Sequence, residues 1–184
     1  MWIRQVAKKR PVEVAWKLFS LAIVNHGKDY NVEGHAKGFK LERTLLAARR
    51  LGGNSAIERL YMAFGDAVHG RGQDPGDAEV VHGCLKTAGL PEDLYKQALA
   101  DASTEADLVA EHEQAVNELD AFGVPTLTLK GSKIAVYGPV IEPVPQGDEA
   151  LPLWDHMLWA LQAPYLYELK RERKFKLGPQ SVIN

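Results

Sequence analysis

The chain has 184 residues, 46% hydrophobic and 25% charged, with a formal net charge of −2. That is the profile of one globular domain, long enough to bury about two-thirds of its unfolded surface. The charge balance offers no general attraction for nucleic acid or an anionic membrane. No apolar run approaches the ~20 residues of a membrane span, and the first residues lack the basic-then-apolar order of a secretory signal, so a cytoplasmic location is expected.

Trp2, Ile3 and Val6 share one helical face, and Pro11 stops the helix after Lys8, Lys9 and Arg10. Val12, Val14, Trp16 and Leu18 alternate with Glu13, Ala15 and Lys17, which predicts a strand with one buried face. Phe19 to Asn25 reads as a buried exit from that strand.

From about Ala36 to Ala102 every pattern is helical. Phe39, Thr44 and Leu45 start a segment that Gly52-Gly53 ends. Ser55 and Glu58 have capping-box spacing, and Ile57, Leu60, Tyr61, Phe64 and Val68 step along one face. After a polar turn at Arg71 to Gly76, Val80, Val81, Cys84, Leu85 and Ala88 form a third stripe, closed by Gly89. Pro91 opens a short fourth helix bearing Leu94 and Leu99. Leu60, Tyr61, Phe64, Val81, Cys84 and Leu85 are expected inside this helical region.

Thr104 with Asp107 can cap a longer helix that ends at Phe122-Gly123. Thr126 to Lys130 and Lys133 to Tyr137 predict two strands joined at Gly131-Ser132. Pro139, Pro143 and Pro145 hold an extended loop. A last helix opens at Asp148, is interrupted by Pro164 and is expected to resume from Tyr165 to Arg173 before a basic tail.

The order helix, strand, helical block, long helix, hairpin, helix describes an α/β protein, a thioredoxin fold entered at its first helix with its first central strand absent. Trp16 to Asn25 (WKLFSLAIVN), Leu60 to Gly72 (LYMAFGDAVHGRG) and Tyr137 to Lys174 resemble mycothiol-dependent nitroreductases and their DsbA-family relatives. In the last stretch a Gly-Pro-Val, a Pro-x-Gly and a Tyr-Glu-Leu-Lys-Arg recur together. The resemblance implies a DsbA-type thioredoxin-like domain, discontinuous over residues 1–35 and 103–184, with a helical insertion at 36–102. It implies thiol-linked oxidoreductase chemistry: reduction of a disulfide or nitro compound through a Cys-Pro-Trp-Cys motif, with a mycothiol-like low-molecular-weight thiol as co-substrate and no bound cofactor.

The resemblance further implies that Val124, Pro125 and Thr126 form the substrate-binding turn, with Val124-Pro125 cis, and that Asn25 borders the cleft as a thiol contact. A turn-initiating Asn is an equally good reading of Asn25. A cis X-Pro bond is uncommon, about 5–6% of such bonds in folded proteins, and persists where a tight turn presents its backbone.

The sole cysteine is Cys84. Thiol exchange needs a low-pKa thiolate and a resolving thiol, so no residue here is a catalytic candidate and the chain reads as truncated before its dithiol and inactive as written. Cys84 is expected to be an inert core residue. Histidines 26, 35, 69, 82, 112 and 156 make no metal-ligand spacing, and His112 between Glu111 and Glu113 reads as solvated or half-buried. Lys170 to Lys176 reads as a solvated helix rather than a nucleic-acid patch. Two other functions fit the same order of elements: a non-catalytic thioredoxin-fold binding module, or a relative of kappa-type glutathione transferases and hydroxychromene-carboxylate isomerases.

Overall fold

The computed structural model describes residues 2–32 and 36–172. His35, the 35/36 boundary and the basic tail beyond Glu172 lie outside them. The chain is helix-rich with one small sheet: α1 (Trp2–Ala7), α2 (Leu21–His26), α3 (Ala36–Gly65), α4 (Ala78–Thr87), α5 (Leu94–Ala100), α6 (Ala102–Leu119), β1 (Thr126–Thr128), β2 (Ala135–Tyr137) and α7 (Ala150–Ala160). The architecture is compatible with a thioredoxin-like fold.

Two apolar clusters organise it. The larger gathers α3 to α6 around Phe39, Ile57, Leu60, Leu85 and Leu108, all at most 2% exposed, and also takes Leu18. The smaller sets Trp2 and Val6 of α1 against Ala150, with Val12, Leu127, Leu153 and Trp154 packed around them. Trp2 Nε1 donates to the Ala150 carbonyl at 2.9 Å, which pins α1 to the start of α7.

Residues 12–18 are not a strand. They run extended, and Val12, Val14, Trp16 and Leu18 turn inward while Glu13, Ala15 and Lys17 face solvent, so the alternation survives without a ladder. Side chains do the pairing instead. Asn54 accepts from Trp16 N at 2.9 Å and donates to Val14 O at 2.7 Å. Arg49 donates to Trp16 O at 3.2 Å, Glu111 accepts from Leu18 N at 3.1 Å, and His112 Nδ1 accepts from Ser20 N at 3.3 Å. Successive backbone groups of an extended chain point to opposite sides. The odd-numbered groups of residues 13–19 therefore face the other edge, where they have no hydrogen-bond partner among the described residues.

Several sequence expectations shift. The break at Gly52-Gly53 holds: both residues leave helical geometry, Gly53 at φ 66°, so α3 is two helical stretches joined across this kink. That kink delivers Asn54 to the extended segment. The cap of α6 is Asp101, accepting from Ser103 N at 2.9 Å, three residues before Thr104, which lies buried inside the first turn. Of Phe19 to Asn25 only Ser20 is fully buried; from Leu21 the chain becomes α2, with Leu21 and Val24 exposed. The hairpin strands are three residues each. No helix resumes between Tyr165 and Glu172; Tyr167 and Leu169 there face solvent. Tyr61 is 52% exposed rather than inside, since its ring stacks on Trp16 at 6.0 Å at the rim of the larger cluster.

Arg43 locks the helical block. It is buried and donates to Thr104 Oγ1 (2.9 Å) and to the carbonyls of Ala98, Leu99 and Asp101 (3.1–3.2 Å), and pairs with Glu105 at 3.1 Å. The first two carbonyls belong to the last turn of α5, where helical partners run out. Arg43→Met should cost on the order of 3 kcal/mol, because it strands buried carbonyls and Glu105 together. Arg43→Lys should recover only part, lacking the guanidinium fork. Urea unfolding of the three proteins measures both.

Candidate functional site

The turn between α6 and β1 is built by backbone constraints. Asp120 ends α6 in the left-handed region (φ 51°), and Ala121 is buried beneath it. A Cβ on Gly123 would lie 3.1 Å from the Tyr137 ring, so the small residue permits this close approach. Thr126 Oγ1 donates to Gly123 O at 2.7 Å, and Gly138 N donates to Pro125 O at 2.8 Å. The Val124-Pro125 peptide is cis, as are Gly138-Pro139 and Glu142-Pro143.

This turn is an exposed apolar ledge. Phe122 is 70% exposed and stacks on Tyr137 with centroids 5.1 Å apart; Val124, Pro125 and Val140 are exposed beside it. In the register Thr126↔Tyr137, Leu127↔Val136, Thr128↔Ala135, the bond from Gly138 to Pro125 makes Leu127 the next residue paired to β2. The backbone groups of Thr126 and Thr128 thus point to the open edge. The ledge can offer hydrogen bonds from a strand edge and a flat aromatic surface to a ligand. It contains no thiol.

Asn25 is exposed on α2, and no hydrogen bond or ring contact joins it to the Val124–Thr126 turn among the described residues. Cys84 lies on α4 within the larger cluster and is 3% exposed. Its thiol donates to Ala63 O at 3.5 Å. Burial pushes the thiol up from its ordinary range, only partly offset by Arg71. Among the described residues, no group of three or more His, Cys, Asp or Glu could hold a metal ion, and no helix is long and apolar enough to cross a membrane.

The structure also assembles a polar group that sequence patterning missed. His112 is 5% exposed, not solvated, and contacts Phe19 at 4.5 Å between ring centroids. Burial holds its imidazole below the usual range, with Glu113 opposing, which suits the neutral form that accepts from Ser20 N. Glu42, on α3, is pushed up to about 7 by burial, and Ser20 partly opposes the shift. Glu42 sits in a helix whose Leu41, Arg43, Thr44, Leu45, Leu46, Ala47 and Ala48 are all buried. A helix without a polar stripe was the available signal.

Comparison with known proteins follows the same lines as the sequence patterns. A family model described as "Rv2466c-like: Mycothiol-dependent nitroreductase Rv2466c" matches residues 1–171. The chain is 33% identical over 176 residues to "Uncharacterized protein Rv2286c" of Mycobacterium tuberculosis (strain ATCC 25618 / H37Rv), covering 94% of this chain and 75% of that protein.

Cys84 is expected to label slowly. A maleimide or Ellman-type reagent should react with the folded protein far more slowly than with urea-unfolded protein, because the thiolate is both inaccessible and disfavoured. Rapid stoichiometric labelling of the folded form would contradict this placement.

Proposed function

Because the chain belongs to the Rv2466c-like mycothiol-dependent nitroreductase family, we propose that it is the greater part of a cytoplasmic, DsbA-type thiol-linked oxidoreductase acting with a mycothiol-like low-molecular-weight thiol on a small disulfide or nitro compound. The observation that carries this reading is the family match across residues 1–171, which takes in both the Val124–Thr126 turn and α2. In this reading Val124, Pro125 and Thr126 receive the substrate, Asn25 contacts the thiol, and residues 36–102 are a helical insertion into a thioredoxin-like domain formed by 1–35 and 103–184.

The chemistry requires a thiolate to attack a disulfide or mixed disulfide and a second thiol to resolve it. The 184 residues contain one cysteine, and it is buried in the helical cluster. The 184-residue chain is therefore proposed to bind but not turn over, with the dithiol carried on an additional strand and helix N-terminus. Two observations support a place for that strand. The odd-numbered backbone groups of residues 13–19 and the outward groups of Thr126 and Thr128 are open edges, and Val12 and Leu127 pack on one shared cluster. An open edge is a template for strand addition.

The 184-residue protein is expected to show no dithiol-dependent reductase turnover with a low-molecular-weight thiol as reductant. A version extended upstream in its reading frame through a Cys-x-x-Cys should show turnover and a higher Tm. Its double Cys→Ser variant should keep the Tm gain without the turnover. Ordinary enzymatic turnover by the 184-residue form would contradict the dithiol argument, and an unchanged Tm on extension would contradict the open-edge argument.

A further inference from the structure

We propose that His112 and Ser20 form an acid-released clasp: the neutral imidazole fastens the end of the extended segment and the start of α2 to α6, and a proton on Nδ1 opens it. Ser20 N donates to His112 Nδ1 at 3.3 Å. The accepting nitrogen must keep its lone pair, so the ring is neutral with its hydrogen on Nε2. An imidazolium carries N–H on both nitrogens and accepts at neither, so protonation sets two donors against each other. Both partners are enclosed, Ser20 at 0% and His112 at 5% exposure, and the Phe19 ring lies against the imidazole with centroids 4.5 Å apart. The start of α2 has no side-chain cap: Ser20 is its N-cap residue, and only its carbonyl joins the first turn, accepting from Val24 N at 3.3 Å. The neighbouring link, Leu18 N to Glu111 at 3.1 Å, does not use His112. Opening is therefore confined to Phe19, Ser20 and the start of α2.

The charges around the ring do not rescue its protonated form. On α6, Glu111 is held by Arg49 of α3 at 2.5 Å and faces Lys17 of the extended segment at 4.0 Å. Glu113 favours the imidazolium, but burial outweighs it and holds His112 below its usual range. Glu42 of α3, raised to about 7 by burial with Ser20 opposing, is mostly protonated where His112 gains its charge, and so supplies no counter-ion. His26 lies at the end of α2. A ring whose proton affinity is depressed in the closed state takes a proton more readily once the contact opens, so acid favours the open state. The clasp is closed above the ordinary imidazole value of 6.5 and is lost as pH falls below it. It is independent of any catalytic role.

The test is NMR of the 184-residue protein from pH 5 to 8, following the His112 ring nitrogens and the hydrogen exchange of the Ser20 and Leu18 amides. At pH 8 Nδ1 should show the shift of an unprotonated ring nitrogen. On acidification the protection of the Ser20 amide, corrected for the intrinsic pH dependence of exchange, should fall about tenfold with the midpoint of the His112 titration, while Leu18 stays protected. His112→Asn places a carbonyl oxygen near the position of Nδ1 that takes up no proton in this range, and it should keep Ser20 protected throughout. Glu42→Gln and His26→Gln should each leave the step in place. A protonated Nδ1 at pH 8, Ser20 protection that does not follow His112, or Leu18 losing protection in parallel would overturn the proposal. So would a step that survives His112→Asn or disappears in Glu42→Gln or His26→Gln. Should His112→Asn not fold, the ring-nitrogen shifts and the comparison of Ser20 with Leu18 in the unaltered protein decide.

Discussion

The extended segment from Val12 to Ser20 holds the structure together, and it does so by hydrogen bonds that a sheet would ordinarily supply. Backbone N–H and C=O groups must be satisfied, and a lone extended chain has no ladder to satisfy them. Asn54, Arg49, Glu111 and His112 take that role on one edge. The consequences reach far. Asn54 is presented by the kink at Gly52-Gly53, and Glu111 is fixed by Arg49, so the segment ties α3 to α6. Val12 packs in one apolar cluster and Leu18 in the other, so the same few residues join both cores.

The turn after α6 stands on this frame as a presenting surface. Its backbone is fixed by Gly138 and Thr126, its aromatic pair Phe122–Tyr137 is exposed, and its strand edge is open. Such a surface can bind and orient, but it lacks a group able to attack sulfur or accept electrons. Cys84 does not supply one, because it lies in the helical cluster with its thiol directed at a backbone carbonyl. Proposed recognition and proposed chemistry are thus separated: the exposed turn lies within the chain, while dithiol chemistry needs two cysteines and the 184 residues contain one.

Much of this was legible in the amino-acid pattern, and the failures have physical causes. Stripes such as Leu60, Phe64 and Val81, Cys84, Leu85 marked buried helix faces because burial and helical period coincide there. The alternation from Val12 to Leu18 correctly gave the inward side chains and wrongly gave a strand, since alternation reports faces and not the partner that completes a ladder. Glu42 and His112 were not legible because a Glu, or a His flanked by two Glu, reads as solvated; His112 is buried where Phe19 and Ser20, distant in sequence, meet it, and Glu42 lies between buried neighbours of α3. The ledge residues Val124, Pro125 and Thr126 were found through resemblance, and nothing in periodicity alone singles them out. Asn25, also reached through resemblance, lies exposed on α2.

The central claim is one-sided satisfaction of the extended segment, and amide hydrogen exchange resolved by residue tests it directly. The amides of Trp16, Leu18 and Ser20, bonded to Asn54, Glu111 and His112, should exchange slowly. Those of Ala15, Lys17 and Phe19 should exchange near the rate of an unstructured chain, because protection follows hydrogen bonding and burial. Equal protection at odd and even positions, or none at either, would contradict the account.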